Sequence, residues 1–145
     1  INRTKNSYNF TPLSSIYNKF TPSLDGSIKM SKSSPGSFIE LPENIESACK
    51  KLKNAVSGGR KTLEEHKKLG GIPEKDMVFE MLKLHLEEDD KKLQKIYNDY
   101  KSGKLTTKEL KDIGCEKLTN FLNNFSKKLE KAKKQVSSLK FIEFN

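Results

Sequence analysis

From about residue 42 onward, apolar side chains recur at intervals of three and four, the period of helices with one buried face. In the first such stretch Ile45, Ala48, Cys49, Leu52 and Val56 share a face. Pro42 sits where a helix accepts proline, in its first turn, with Glu43 and Glu46 near the positive end of the dipole, and Gly58-Gly59 is expected to end it. A short helix follows, opened by a capping box of Thr62 with Glu65 and stopped at Gly70-Gly71. The pattern then predicts a helix over 74–86 that buries Val78, Phe79, Leu82 and Leu86. The next, over 89–100, turns Leu93, Ile96, Tyr97 and Tyr100 inward and closes at Gly103. Thr106 and Glu109 form another capping box, opening the longest helix. On it Leu110, Gly114, Leu118, Phe121, Phe125, Leu129, Ala132 and Val136 make a persistent apolar stripe. The other helices offer that stripe a core to join; a two-stranded coiled coil is the alternative.

Residues 1–36 hold no sustained period and are rich in Ser, Thr, Asn, Pro and Gly, with turns marked at Asp25-Gly26 and Pro35-Gly36. Ser37-Phe38-Ile39-Glu40-Leu41 is a compact strand candidate. The chain therefore divides near residue 57: the end of a unit containing a strand and a loop, then a small all-helical domain. The expected fold class is mainly α. A length of 145 residues is one ordinary domain, or the tail of one domain plus a second small one. Because the chain begins at Ile1 without an initiator Met, it is expected to be a piece of a longer product.

Composition narrows the chemistry. Cys49 and Cys115 have no C-x-x-C or metal spacing, and His66 and His85 have no ligand-spaced partner. They read as free thiols in a reducing compartment and as ordinary surface or boundary histidines, with no protein-bound metal. No signal peptide opens the chain and no apolar run nears the ~18 residues of a membrane span, so a cytoplasmic protein with no membrane role is expected. The net charge is +9, distributed as +6 over residues 1–63, −3 over 64–99 and +6 over 100–145. Two basic flanks suit a polyanion touching both ends of the molecule. A lysine bias of genomic origin accounts for the same numbers, since 26 of the 28 basic residues are Lys.

One segment asks for a reaction. Gly26-Ser27-Ile28-Lys29-Met30-Ser31-Lys32-Ser33-Ser34 sets two lysines three apart among small hydroxyl residues in a glycine-flanked loop. Such a loop can fold over a triphosphate, its ammonium groups meeting the charge that develops on departing pyrophosphate. Hydroxyls and backbone amides supply further phosphate contacts. Taken alone, the same string also fits a solvated basic loop.

The surroundings of this loop resemble the tryptophan branch of the class I aminoacyl-tRNA synthetases, of the archaeal and eukaryotic type, in its C-terminal part. The resemblance is carried by Pro12-Leu13-Ser14-Ser15-Ile16-Tyr17-Asn18-Lys19-Phe20 with Pro22, Leu24 and Gly26, then the loop, then Ser37-Phe38-Ile39-Glu40-Leu41. It continues through Ser57-Gly58-Gly59-Arg60-Lys61-Thr62-Leu63-Glu64-Glu65-His66 and Leu69-Gly70-Gly71. Further blocks are Leu86-Glu87-Glu88-Asp89-Asp90, Tyr100-Lys101-Ser102-Gly103, Leu105-Thr106 and Glu109-Leu110-Lys111. It covers roughly residues 10–130.

The resemblance implies a parent protein that activates tryptophan with ATP and Mg²⁺ and transfers it to the cognate tRNA. Residues 1–57 would then be the end of the catalytic Rossmann-type α/β domain, and 58–145 an all-helical anticodon-binding domain. Lys29, Met30, Ser31, Lys32 and Ser33 would bind ATP, with Lys29 and Lys32 as catalytic groups and Lys32 the main pyrophosphate contact. Many members have a small residue at the position of Lys32, a departure that bears on how the two lysines divide the work. Arg60 and Lys61 would face the anticodon, a guanidinium being able to pair with or stack on a splayed base. Some members carry an aspartate where Lys61 stands, so an acidic contact does not carry over.

The family's H-x-G-H motif and tryptophan pocket are not in this chain, so the piece alone is expected to be inactive and monomeric, and the parent a homodimer. A tyrosyl-tRNA synthetase fragment, and a lysine-rich helical interaction module without an RNA role, are the alternatives; the Gly-Gly-Arg to Gly-Gly block argues against the first.

Overall fold

The computed structural model describes residues 14–17 and 20–136. Pro12, Leu13, Asn18 and Lys19 of the lead-in lie outside the described residues. The described chain is built from five α-helices: α1 (Ile45–Asn54), α2 (Leu63–Leu69), α3 (Met77–Met81), α4 (Asp90–Lys101) and α5 (Thr107–Val136). Single 3₁₀ turns occupy Pro35–Ser37 and Pro73–Lys75, and α3 runs directly into a π-helical turn, Leu82–Leu86.

The caps explain most of the boundaries. The Asn44 side chain accepts from the amides of Glu46 and Ser47, which starts α1 three residues beyond Pro42. The sequence placed Pro42 inside the first turn; it precedes the cap instead. The helix also stops at Asn54, four residues before Gly58-Gly59, where Ala55 turns out of helical geometry. Thr62 caps α2 through the amide of Glu65, and Gly70 ends it at φ +71°. Asp76 caps α3, so this helix starts three residues later than the expected Glu74. Asp89 caps α4 by accepting from Lys91 and Lys92. At the start of α5 the capping box is reciprocal: the Thr106 amide donates to Glu109 Oε2 at 2.8 Å, and the Glu109 amide donates to Thr106 Oγ1 at 3.3 Å.

The proposed strand over 37–41 does not form. Ser37 closes a 3₁₀ turn, and Phe38 is extended but pairs with no neighbouring strand among the described residues. A strand needs a partner edge to hold its amides, and here the nearby backbone bonds are isolated ones, such as the Leu24 amide donating to Ser37 O at 2.9 Å.

The core gathers around the first half of α5. Leu110, Leu118 and Leu122 from α5 meet Ala48 and Leu52 of α1, and Val78, Phe79, Met81 and Leu82 from α3 and its π turn. Leu24, Ala55 and Tyr100 complete the buried set. Gly114 permits this approach, because a Cβ there would stand 2.5 Å from Val78 Cγ1 and 3.1 Å from Leu52 Cδ2. Four members of the expected stripes are displaced. Val56 lies beyond the end of α1 and is 44% exposed. On α5 the inward residue is Leu122, 2% exposed, while Phe121 is 39% exposed and stacks with Phe125. A step of four from Leu118 stays over the core, whereas a step of three leads to its rim. Beyond Leu129 the helix is exposed all round, so Ala132 and Val136 have no core to join.

The expectation for His66 also changes, while His85 is exposed and the two cysteines are free as expected. His66 is 3% exposed, packed against the Tyr100 ring with centroids 5.1 Å apart, rather than at the surface or boundary. Cys49 and Cys115 are free thiols, but they do not stand apart. They face each other across the α1–α5 seam, each Sγ donating to the other's backbone carbonyl, at 3.7 Å and 3.6 Å. Burial, reinforced by Cys49, pushes the Cys115 thiol up to about 12. No described helix is long and apolar enough to cross a membrane.

Candidate functional site

The lysine loop is shaped by its own short side chains. Asp25 Oδ1 accepts from the Ser27 amide and the Gly26 amide donates to Ser23 O, with Gly26 at φ +82°. Hydroxyl bonds to Asp25, from Ser23 and then Ser27, hold its carboxyl below the usual range. Further on, the Ser34 amide and the Ser37 hydroxyl both donate to Ser31 O, and the Ser31 and Ser33 hydroxyls lie 2.7 Å apart. The serines therefore curl the backbone between Lys29 and Ser34. Lys29 and Lys32 are exposed, and their ammonium groups have no partner among the described residues. Met30 points the other way. It lines an apolar cavity of about 300 Å³ with Thr21, Ile39, Leu41, Met81, His85 and others, and Thr21 Oγ1 meets His85 Nε2 at 2.6 Å. One loop residue is thus anchored on the helical part while the two cations face solvent. This set of ammonium and hydroxyl groups fits phosphate oxygens rather than a cation.

The second set is built around the turn 57–61. Arg60 is exposed, but its Nε donates to Gly70 O at 2.8 Å, leaving the outer edge of the guanidinium available. Lys61 is exposed and has no partner among the described residues. Behind the turn lies a buried polar cluster with Asp76, wholly inaccessible, at its centre. Asp76 Oδ1 accepts from the Val78 and Phe79 amides; Oδ2 accepts from the Gly58 amide at 2.9 Å and the Tyr100 hydroxyl at 2.8 Å. Tyr100 OH also lies 3.2 Å from Thr107 Oγ1 and 3.5 Å from Ser57 Oγ. Burial, helped by the Asp76 carboxylate, pushes the phenol up to about 12 against the pull of Ser57 and Thr107. Gly58 cannot be replaced without disruption, because a Cβ would run into the Ile72 carbonyl oxygen.

The structure keeps the two residue sets distinct: among the described residues no hydrogen bond joins the loop to Arg60 or Lys61. What links them is a backbone relay: Leu24 N to Ser37 O, Val56 N to Leu24 O, and Met77 N to Val56 O, at 2.8–3.0 Å. Sequence reasoning missed Asp76 and treated Tyr100 only as an inward apolar residue. An Asp directly before Met77-Val78-Phe79 is the available signal, an N-cap ahead of an apolar run.

A family model described as tRNA synthetases class I (W and Y) matches residues 1–123. The chain belongs to this class I tRNA synthetase family. Within it, the chain is 43% identical over 132 residues to the tryptophan–tRNA ligase of Methanocaldococcus jannaschii, covering 91% of this chain and 35% of that protein. The tryptophan–tRNA ligase of Sulfurisphaera tokodaii is 44% identical over 128 residues, 87% of this chain and 34% of that protein. Among solved structures, the tryptophanyl-tRNA synthetase of Aeropyrum pernix is 45% identical with a TM-score of 0.75, over 79% of this chain and 31% of that one. A tryptophanyl-tRNA synthetase homolog from Entamoeba histolytica reaches a TM-score of 0.81 at 30% identity, over 94% of this chain and 38% of that one. This synthetase chain spans about a third of the length of the curated relatives it matches.

Proposed function

We propose that the chain is the C-terminal part of a cytoplasmic tryptophan–tRNA ligase, which activates tryptophan with ATP and attaches it to its cognate tRNA. The observation that carries this reading is similarity at 42–45% identity to proteins named tryptophan–tRNA ligase, spanning the lysine loop and the Arg60 turn together. Residues 1–57 contribute the end of the Rossmann-type catalytic domain and 58–145 the anticodon-binding helices. The two parts share a core, since α1 packs on α5.

In this reading Lys29 and Lys32, in the loop from Lys29 to Ser33, hold the ATP phosphates and stabilise the pyrophosphate leaving group as charge builds on it. Ser31, Ser33 and backbone amides complete the phosphate contacts, and Met30 seats the loop. Arg60 and Lys61 face the tRNA anticodon, the first through the free edge of its guanidinium. The parent acts as a homodimer through catalytic-domain contacts, and the piece alone is a monomer without exchange activity, because the groups that position tryptophan and ATP are elsewhere. The test is amino-acid-dependent ATP–pyrophosphate exchange by the full-length protein. Exchange with tryptophan is expected; exchange with tyrosine, and not tryptophan, would overturn the assignment.

A further inference from the structure

We propose that the buried Asp76–Tyr100 pair is a positioning device for anticodon discrimination, holding the Gly58-Gly59-Arg60 turn in the pose that presents the Arg60 guanidinium. The proposal rests on the reading of Arg60 given above.

The starting point is a carboxylate with more capacity than its helix uses. A buried carboxylate is costly unless fully hydrogen-bonded, and an Asn, Ser or Thr side chain caps a helix about as well. Capping of α3 occupies only Oδ1, through Val78 and Phe79. The second oxygen is turned away from the helix, reaching back 18 residues to the Gly58 amide and across to the Tyr100 hydroxyl. Around it the remaining turn groups are held as well. The Gly59 amide donates to Ser57 Oγ at 2.9 Å, and the Ile72 amide donates to Gly58 O at 2.8 Å.

Tyr100 closes the arrangement from the other side. Its hydroxyl meets Asp76, which fixes the backbone leading into Arg60, and its own carbonyl accepts from the Gly71 amide at 2.9 Å. Gly71 adjoins Gly70, whose carbonyl takes the Arg60 Nε–H. One residue of α4 therefore governs both the main-chain approach to Arg60 and the acceptor that orients its side chain. Neither Asp76 nor Tyr100 reaches solvent, so neither touches RNA; they act through Arg60.

The experiment uses the full-length ligase with Tyr100→Phe, which removes one oxygen and keeps the ring packing, and Asp76→Asn, which turns an acceptor facing Gly58 into a donor. Hydrogen exchange of the segment 58–61, followed by mass spectrometry, should quicken in both variants. KM for the cognate tRNA should rise about five- to tenfold, a change on the scale of one lost charge-assisted hydrogen bond. Preference for the tryptophan anticodon should fall in step, while tryptophan-dependent ATP–pyrophosphate exchange stays at the parental rate. In an Arg60→Ala background the same changes should cost no further discrimination. If Asp76→Asn does not fold, Tyr100→Phe decides alone. Unchanged exchange at 58–61, or losses that add to those of Arg60→Ala, would overturn the positioning role. Faster exchange at 58–61 in a protein where Arg60→Ala leaves discrimination intact would instead overturn the anticodon reading of Arg60, and anticodon positioning with it, leaving only a brace for the turn.

Discussion

Lys29 and Lys32 carry charge that no acidic group among the described residues neutralises, so on the proposed reading the ATP phosphates would meet two ammonium groups without having to displace a partner. Because such a contact strengthens as the leaving group takes up charge, Lys32→Ala in the full-length ligase should slow tryptophan activation ~100–1000-fold, about 2.7–4 kcal/mol. tRNA affinity should change far less; collapse of tRNA binding with activation untouched would reassign the loop. At the same scale the core makes a sharper distinction than the sequence stripe did. Leu122→Ala should cost about 2–5 kcal/mol in a denaturant melt of this chain, and Phe121→Ala distinctly less, although the stripe favoured Phe121. The lysine loop and Arg60 could be singled out as candidates because small hydroxyls, cations and glycines are informative types. Asp76 was not, since one aspartate among ten acidic residues in 64–99 looks like solvated charge until its neighbours are known. The buried state of His66 depends on Tyr100 and on Leu105, whose carbonyl lies 2.9 Å from Nε2, and those contacts span 34 and 39 residues.

Among the elements, capping decided where helices begin more than periodicity did. The Thr106–Glu109 box was readable directly, because both partners lie within four residues. The bonds from Thr106, its hydroxyl foremost, hold the Glu109 carboxyl below the ordinary range. Thr106→Ala should lower stability by about 1 kcal/mol, seen as a drop in Tm, and Thr106→Ser should restore most of it. An unchanged Tm in the alanine variant would mean that α5 is held by packing alone. The apolar pattern suggested a helix from about Glu74 that the structure delays to Met77, capped by Asp76; Pro73–Lys75 forms only a 3₁₀ turn. The expected strand failed for a related reason: propensity describes a segment, while a strand also needs a second segment beside it.

At the scale of the whole molecule, one long-range ion pair ties the acidic middle to the basic final helix. Lys117 Nζ reaches Glu87 Oε2 at 2.6 Å, and the Glu87 carboxylate also accepts from the Asp89 amide. The Lys117 bond, outweighing the effect of burial, lowers the Glu87 carboxyl below its ordinary 4.5. A carboxyl depressed on folding adds stability that is complete above the unfolded value and is lost as pH falls through the folded one. Stability should therefore decline as pH drops below 4.5, and Lys117→Met should flatten that decline in acid titrations followed by circular dichroism. A slope unchanged by Lys117→Met would show that other carboxylates set it. On the proposed reading the opposite end of α5 meets tRNA phosphates. Neutralising Lys131 and Lys134 should weaken all tRNAs alike and reduce the salt slope by about 0.7–0.9 per lost phosphate contact, leaving anticodon preference unaltered.

The facing thiols of α1 and α5 give the molecule a built-in gauge. Cys49 and Cys115 are its only cysteines, and each holds its proton against the other's main chain. An alkylating reagent should consume Cys115 mainly as the two helices separate, because a half-buried thiol pushed up to about 12 supplies little thiolate. Labelling rate thus becomes a clock for the parting of residues 45–54 from the long helix. Timed with and without nucleotide or tRNA, it would report, in the unmodified protein, whether occupying one end of the molecule tightens its middle.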